Sequence, residues 1–145
     1  MAKRVLFVCT GNSCRSVMAQ GLLQKRLKEL EPRLREPIEV VSAGVFAIEG
    51  MPASKETIQL LQQEGVDCSG HMSRHLSDNM IRQADLILAM AKEHYDFLVN
   101  LVPTVKEKIR VYDIEDPIGM GMSVYEDVVK KLEEKIQSEW EEIVR

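Results

Sequence analysis

The sequence predicts an α/β fold, a three-layer sandwich around a four-stranded parallel sheet. Three observations predict it. Short apolar runs alternate with longer stretches of helical periodicity, which is the pattern of strands joined by crossover helices. The runs at residues 5–8 and 86–90 lack polar alternation, as strands covered on both faces do. The first run ends in a compact loop of small and polar residues that opens directly onto a helix.

Residues 4–9 form the first strand. A helix follows from about Arg15 to Leu30, closed by Pro32 and Pro37. Ile38 to Ser42 is the second strand and ends at Gly44. A loop with Gly50 and Pro52 leads to a helix from about Ser54 to Glu64, with Gly65 as its stop. Ser77 and Asp78 begin a short helix through Ala84, and Leu86 to Met90 is the third strand. The next helix spans Lys92 to Leu101 and stops before Pro103. Ile109 to Tyr112 is a short fourth strand, followed by a loop from Asp113 to Met122. Ser123 then caps one long helix to the carboxyl terminus, with Val124, Val128, Leu132, Ile136 and Ile143 on its apolar face.

The 145 residues suit a single domain, 1–145, with no repeat or linker. With 45% hydrophobic and 29% charged residues the chain reads as an ordinary soluble protein, and a net charge of −4 argues against a nucleic-acid surface. The apolar run after Lys3 and Arg4 is too short for a leader or a membrane span. Three cysteines make no disulfide framework, and Cys9 with Cys14 is poor zinc spacing, so no metal or cofactor is expected and a reducing cytoplasm is.

Chemistry concentrates between Cys9 and Ser16. Thr10, Gly11, Asn12, Ser13 and Cys14 separate the thiol from Arg15. Gly11 and Asn12 are types that accept left-handed backbone angles, so the loop can curl and aim successive N–H groups at one anion. The following helix adds its free N–H groups and positive dipole end. Arg15 brings a planar fork suited to two phosphate oxygens. A thiol in that field is in the setting that favours the thiolate, and Ser16 is placed to donate to it. On residue types alone, a buried Cys at a strand end is also ordinary packing. Asp116-Pro117 offers a carboxyl on a separate loop as a general acid, although Asp-Pro is equally a turn pair; Asp113 and Glu115 do not precede Pro. Cys68 reads as an inert thiol, and the Met residues near 118–122 as cover for the site rim.

Cys9-Thr10-Gly11-Asn12-Ser13-Cys14-Arg15-Ser16 resembles the phosphate-binding loop of the low-molecular-weight protein tyrosine phosphatases. The resemblance continues through Ser42-Ala43-Gly44, His71-Met72-Ser73-Arg74-His75-Leu76, Asp85-Leu86-Ile87-Leu88-Ala89-Met90 and Asp116-Pro117, in order along the whole chain. It implies Cys9, Arg15 and Asp116 as catalytic residues and residues 10–16 as the phosphate cradle. It implies Asn12, Ser16, Ser42 and His71 as loop supports, against bland alternatives: a turn Asn, a strand-end Ser, a surface His. It also implies Cys14 as redox partner of an oxidised Cys9, where packing behind the loop is the other reading.

Val17 stands where the family usually has Pro. The tyrosine-specific members usually have a branched apolar residue at the position of Ser13 and an aromatic one at that of Ile118. The members that act on phosphoarginine resemble this chain more: they carry Thr at the Ser13 position and share the pair Phe46-Ala47. A guanidinium-like group seeks acceptors and can lie on an aromatic face such as Phe46. The expected substrates are therefore phosphorylated proteins or peptides, phosphoarginine before phosphotyrosine, with Ser13, Phe46 and Ile118 at the substrate rim. Inorganic phosphate is the product, and a monomer is expected. Two other classes compete. Thioredoxin-coupled arsenate reductases share the loop but need two further cysteines after the third strand, where this chain reads Ala89-Met90-Ala91-Lys92. A silent phosphopeptide binder would have lost the thiol, the arginine or the acid, and all three are present.

Overall fold

The structure, a computed structural model, describes residues 3–30, 33–34 and 36–145. Four parallel strands, β1 (Lys3–Cys9), β2 (Ile38–Gly44), β3 (Leu86–Ala89) and β4 (Ile109–Val111), pair in the order β2-β1-β3-β4. The helices are α1 (Arg15–Leu30), α2 (Lys55–Gln63), α3 (Asp78–Gln83), α4 (Lys92–Leu101), α5 (Met122–Ser138) and α6 (Trp140–Val144). Strand alternation divides the core. Val5, Phe7, Leu86 and Leu88 pack on one face with buried side chains of α1, α2, α5 and α6. Leu6, Val8, Ile87 and Ala89 pack on the other with Ile81 of α3 and Leu98 of α4. Helices thus cover both faces of the sheet, which is why its strands carry no polar face. The chain leaves β1 for one neighbour and returns to β3 on the other side, so the order switches at β1. Open parallel sheets bind ligands at the carboxyl ends of strands at such a point.

Ser54 and Ser77 cap α2 and α3, each accepting from a backbone N–H in the first turn. Gly65, at φ +80°, lets the chain leave α2. Four readings of the sequence need correction. The long last helix starts at Met122 behind Gly121, and Ser123 is not its cap. It breaks at Glu139, and α6 carries Ile143 back into the core. Pro103, read only as a stop, opens a 3₁₀ helix, Pro103–Lys108, that buries Val105. Met122 packs against the core and does not cover a rim. The closure of α1 by Pro32 lies outside the described residues.

Candidate active site

The loop that leaves β1 is bound on every side. Val45 N–H donates to the Cys9 carbonyl and Phe46 N–H to the Thr10 carbonyl, both at 2.9 Å. These bonds lay the loop on the end of β2, which only Gly44 permits. A Cβ there would fall inside contact distance of the Thr10 carbonyl oxygen and 2.8 Å from the Asn12 nitrogen. Asn12 takes the left-handed conformation at φ 54°. Gly11, a residue type that also accepts it, does not take it. Among the described residues, the backbone N–H groups of Gly11 through Val17 reach no acceptor within the chain. A run of unpaired donors at a helix N-terminus is an anion receptor.

Asn12 is fully buried and its side chain organises the supports. Its Oδ1 accepts from Arg74 N–H at 2.9 Å, which fixes the amide orientation, since a backbone N–H only donates. Its Nδ2 then donates to Ser16 Oγ at 2.8 Å and Ser42 Oγ at 2.9 Å. The Ser42 hydroxyl in turn donates to Gln20 Oε1. The His71 ring nitrogen Nε2 meets the Asn12 carbonyl at 2.9 Å, so His71 is no free surface side chain. Ser16 Oγ lies 2.8 Å from Cys9 Sγ. Asn12 occupies one lone pair of that oxygen, and the Ser16 hydroxyl is within reach to donate to a Cys9 thiolate.

Arg15 is 4% exposed and rigidly held. One terminal nitrogen donates to the Ile114 carbonyl at 2.9 Å; the other lies 3.4 Å from Thr10 Oγ1 and 3.8 Å from Asp116 Oδ2. The structure therefore brings Arg15 and the Asp116 loop together, at the loop that Cys9 opens. Ile114 and Pro117 are buried and anchor that loop, while Asp116 is half-exposed and accepts from Ile118 N–H at 3.1 Å. Glu115 points away and pairs with Lys131 at 2.8 Å. Phe46 is 72% exposed beside the loop, its ring edge-on to Phe97 at 6.0 Å, and Ile118 is exposed next to Asp116. Ser13 Oγ lies 3.6 Å from Cys14 Sγ. Cys14 is buried among Ser54 Oγ at 3.5 Å and Tyr125 OH at 3.4 Å, and both Cys9 and Cys14 are free thiols. Burial and the Cys14 contact push the Tyr125 phenol up to about 12. Cys68 is half-buried, and burial, then the charge of Asp67, raises its thiol.

Sequence reasoning missed several partners: Gln20, Ser54, the Arg74 backbone, Tyr125 and above all His94. One signal was available for His94. It sits three residues after Ala91, which has no side-chain oxygen to cap α4, and its Nδ1 takes up the Ala91 N–H at 3.0 Å instead. Among the described residues no cluster of His, Cys, Asp and Glu is arranged to hold a metal, and no helix is long and apolar enough to cross a membrane.

Comparison with known proteins agrees over the whole chain. The family of low molecular weight phosphotyrosine protein phosphatases matches residues 4–145. A protein-arginine-phosphatase of Geobacillus stearothermophilus is 38% identical, across 96% of this chain and 99% of its own length. A low molecular weight protein-tyrosine-phosphatase of Escherichia coli K12 is 35% identical, across 94% and 90%. The crystal structure of a low molecular weight protein tyrosine phosphatase from T. tengcongensis superposes with a TM-score of 0.89 at 41% identity, covering 97% of this chain and 99% of that one. A sheet order that switches at β1, a run of unpaired amides in the loop that follows Cys9 and a family match over residues 4–145 lead to one conclusion: the chain is a phosphatase and belongs to the low molecular weight phosphotyrosine protein phosphatase family.

Proposed function

We propose that this chain, acting as one cytoplasmic domain and as a monomer, hydrolyses phosphorylated side chains of proteins through a cysteinyl-phosphate, with phosphoarginine preferred over phosphotyrosine. The observation that carries the reading is the run of unpaired amides from Gly11 to Val17 in the loop that follows Cys9, with Asp116 Oδ2 3.8 Å from the Arg15 guanidinium. The amides and Arg15 bind the phosphoryl oxygens. Cys9, as thiolate, attacks phosphorus in line. The S–P bond forms as the bond to the leaving nitrogen or oxygen breaks, and Asp116 gives that atom its proton. Water then attacks phosphorus and passes a proton to Asp116; the S–P bond breaks, inorganic phosphate leaves and the thiolate returns. No metal or cofactor enters this scheme. After peroxide converts the Cys9 thiolate to a sulfenic acid, Cys14 acts as resolving thiol: the disulfide forms and water leaves.

Three features support arginine. Ser13 presents a small hydroxyl in place of a branched apolar wall. Phe46 exposes a ring face to a flat cation. A guanidine, with a pKa above about 12, leaves poorly without a proton, and Asp116 stands beside Arg15 to provide one. The exposed apolar pair Phe46 and Ile118 favours the second reading, a phenyl ring at the mouth. Turnover of matched phosphoarginine and phosphotyrosine peptides decides between them. A higher kcat/KM on phosphoarginine is expected, and a strong tyrosine preference ends the arginine reading. A wild-type protein that cleaves neither peptide nor a generic aryl phosphate ends both.

A further inference from the structure

His94 lies on α4, across the sheet end from α1, and is completely buried. Its contacts settle its chemistry. Nδ1 accepts the Ala91 N–H at 3.0 Å, so Nδ1 bears no proton. Nε2 then carries the single proton of a neutral ring and donates it to Thr10 Oγ1 at 2.9 Å. The same hydroxyl oxygen faces the Arg15 guanidinium at 3.4 Å. Arg15 in turn spans the Ile114 carbonyl and Asp116.

We infer that His94 is a positioning residue for the phosphoryl-binding fork: by donating to Thr10 it turns that hydroxyl's free lone pair toward Arg15 and holds the guanidinium at its place beside the cradle. This rests on the phosphatase reading of the same site. Thr10 Oγ1 has two lone pairs, and the two donors His94 and Arg15 match them. Without His94 the hydroxyl is free to rotate and to spend its proton against the guanidinium, which has no acceptor to offer. A charged ring cannot play this part, because the Ala91 N–H would lose its acceptor and a second cation would face Arg15. Burial, and then the charge of Arg15, hold the imidazole down at about 4, against the opposing pull of Glu93 and Asp116.

The test uses steady-state kinetics on a generic aryl phosphate, inorganic-phosphate affinity by calorimetry, and imidazole nitrogen chemical shifts. His94→Leu should lower kcat/KM and weaken phosphate binding, each about tenfold, the size of one charge-assisted contact. His94→Gln, whose amide can donate from about the same place, should recover most of both. Thr10→Val should match His94→Leu, and the double variant should be no worse than either single one. The wild-type ring should show a neutral Nε2–H tautomer at pH 6. Wild-type kinetics in a folded His94→Leu protein, additive losses in the double variant, or a protonated ring at pH 6 each overturn the inference. If His94→Leu fails to fold, the comparison of Thr10→Val with His94→Gln decides: a loss in the first and little in the second is required. A wild type that binds phosphate but cleaves no phosphoester defeats the enzyme reading and leaves this one to the binding and spectroscopic arms.

Discussion

The phosphate loop and the Asp116 loop face each other and are built on opposite principles. The first is buried and its side chains are tied to other elements: Asn12 reaches Ser16, Ser42 and the Arg74 backbone, His71 reaches Asn12, and His94 reaches Thr10. The second is exposed over most of its length and rests on Ile114 and Pro117, with Glu115 turned outward to Lys131. The difference teaches which group must be fixed and which must be reachable. An oxyanion receptor works only if its donors are already aimed, because reorganisation during reaction costs binding energy. A proton donor must meet leaving groups of different size, and a half-exposed carboxyl on a loop with few ties suits that task.

Substitutions can break or sharpen this contrast. The largest effect is expected at the proposed nucleophile: Cys9→Ser should reduce aryl phosphate turnover by roughly 10⁴-fold or more while inorganic phosphate still binds, as calorimetry would show. Comparable turnover in that variant would refute the cysteinyl-phosphate route. Next comes Asp116→Asn, with a loss of about 10²–10⁴ on phosphoarginine and a much smaller one on a nitrophenyl phosphate, whose leaving group needs no proton. Equal losses on the two substrates would remove Asp116 from the role of acid.

Two glycines compare the loops directly. Gly44→Ala should cost about 100-fold in kcat/KM, because the new Cβ displaces the Thr10–Asn12 backbone by a fraction of an ångström or more. Gly119, at φ +77° in the turn after Asp116, has no atom within 4 Å of where its Cβ would be. There the cost is only the strain of roughly 1 kcal/mol for a side chain at positive φ, read as a small drop in melting temperature. A Gly119→Ala protein as impaired in catalysis as Gly44→Ala would erase the distinction.

A smaller and graded effect concerns pH. The folded His94 ring stays neutral down to about 4, whereas an unfolded imidazole titrates near 6.5. Between those values the unfolded chain binds a proton that the folded one does not, so stability falls as pH drops from about 6.5 toward 4. The contribution is fully present above about 6.5 and amounts to at most about 3 kcal/mol. Denaturant titrations across that window should show this slope, and His94→Gln should flatten it. Last, Lys131→Met breaks an exposed pair with Glu115 and should leave the melting temperature unchanged within error. A clear drop would mean that the outer loop is braced after all.

Much of the fold was legible because its signals are local. The apolar run of β1, the helical spacing of Val128, Leu132 and Ile136 in α5 and the Ser caps of α2 and α3 all act over a few residues. The errors have equally specific causes. Ile143 follows Ile136 by seven residues, a helical spacing, and is buried on either side of the break at Glu139, so periodicity could not reveal it. At the start of α5, packing of Met122 and Tyr125 against the core outweighed the local preference of Ser123 for a cap.

The sequence by itself determined which groups the proposed site gathers at the end of β1, since the thiol, the donors, the arginine and the start of α1 are contiguous along strand, loop and helix. It also determined the layer order, because apolar strands with no polar face must be covered twice. The family resemblance named Ser42 and His71 as supports, but only the tertiary structure decided which atoms they meet and added the Arg74 backbone and His94. Asn12 meets Ser42, His71 and Arg74 at separations of 30, 59 and 62 residues, and Thr10 meets His94 at 84. Backbone propensity and hydrophobic period are properties of a segment, whereas satisfying a buried hydrogen bond depends on what the rest of the chain places opposite it.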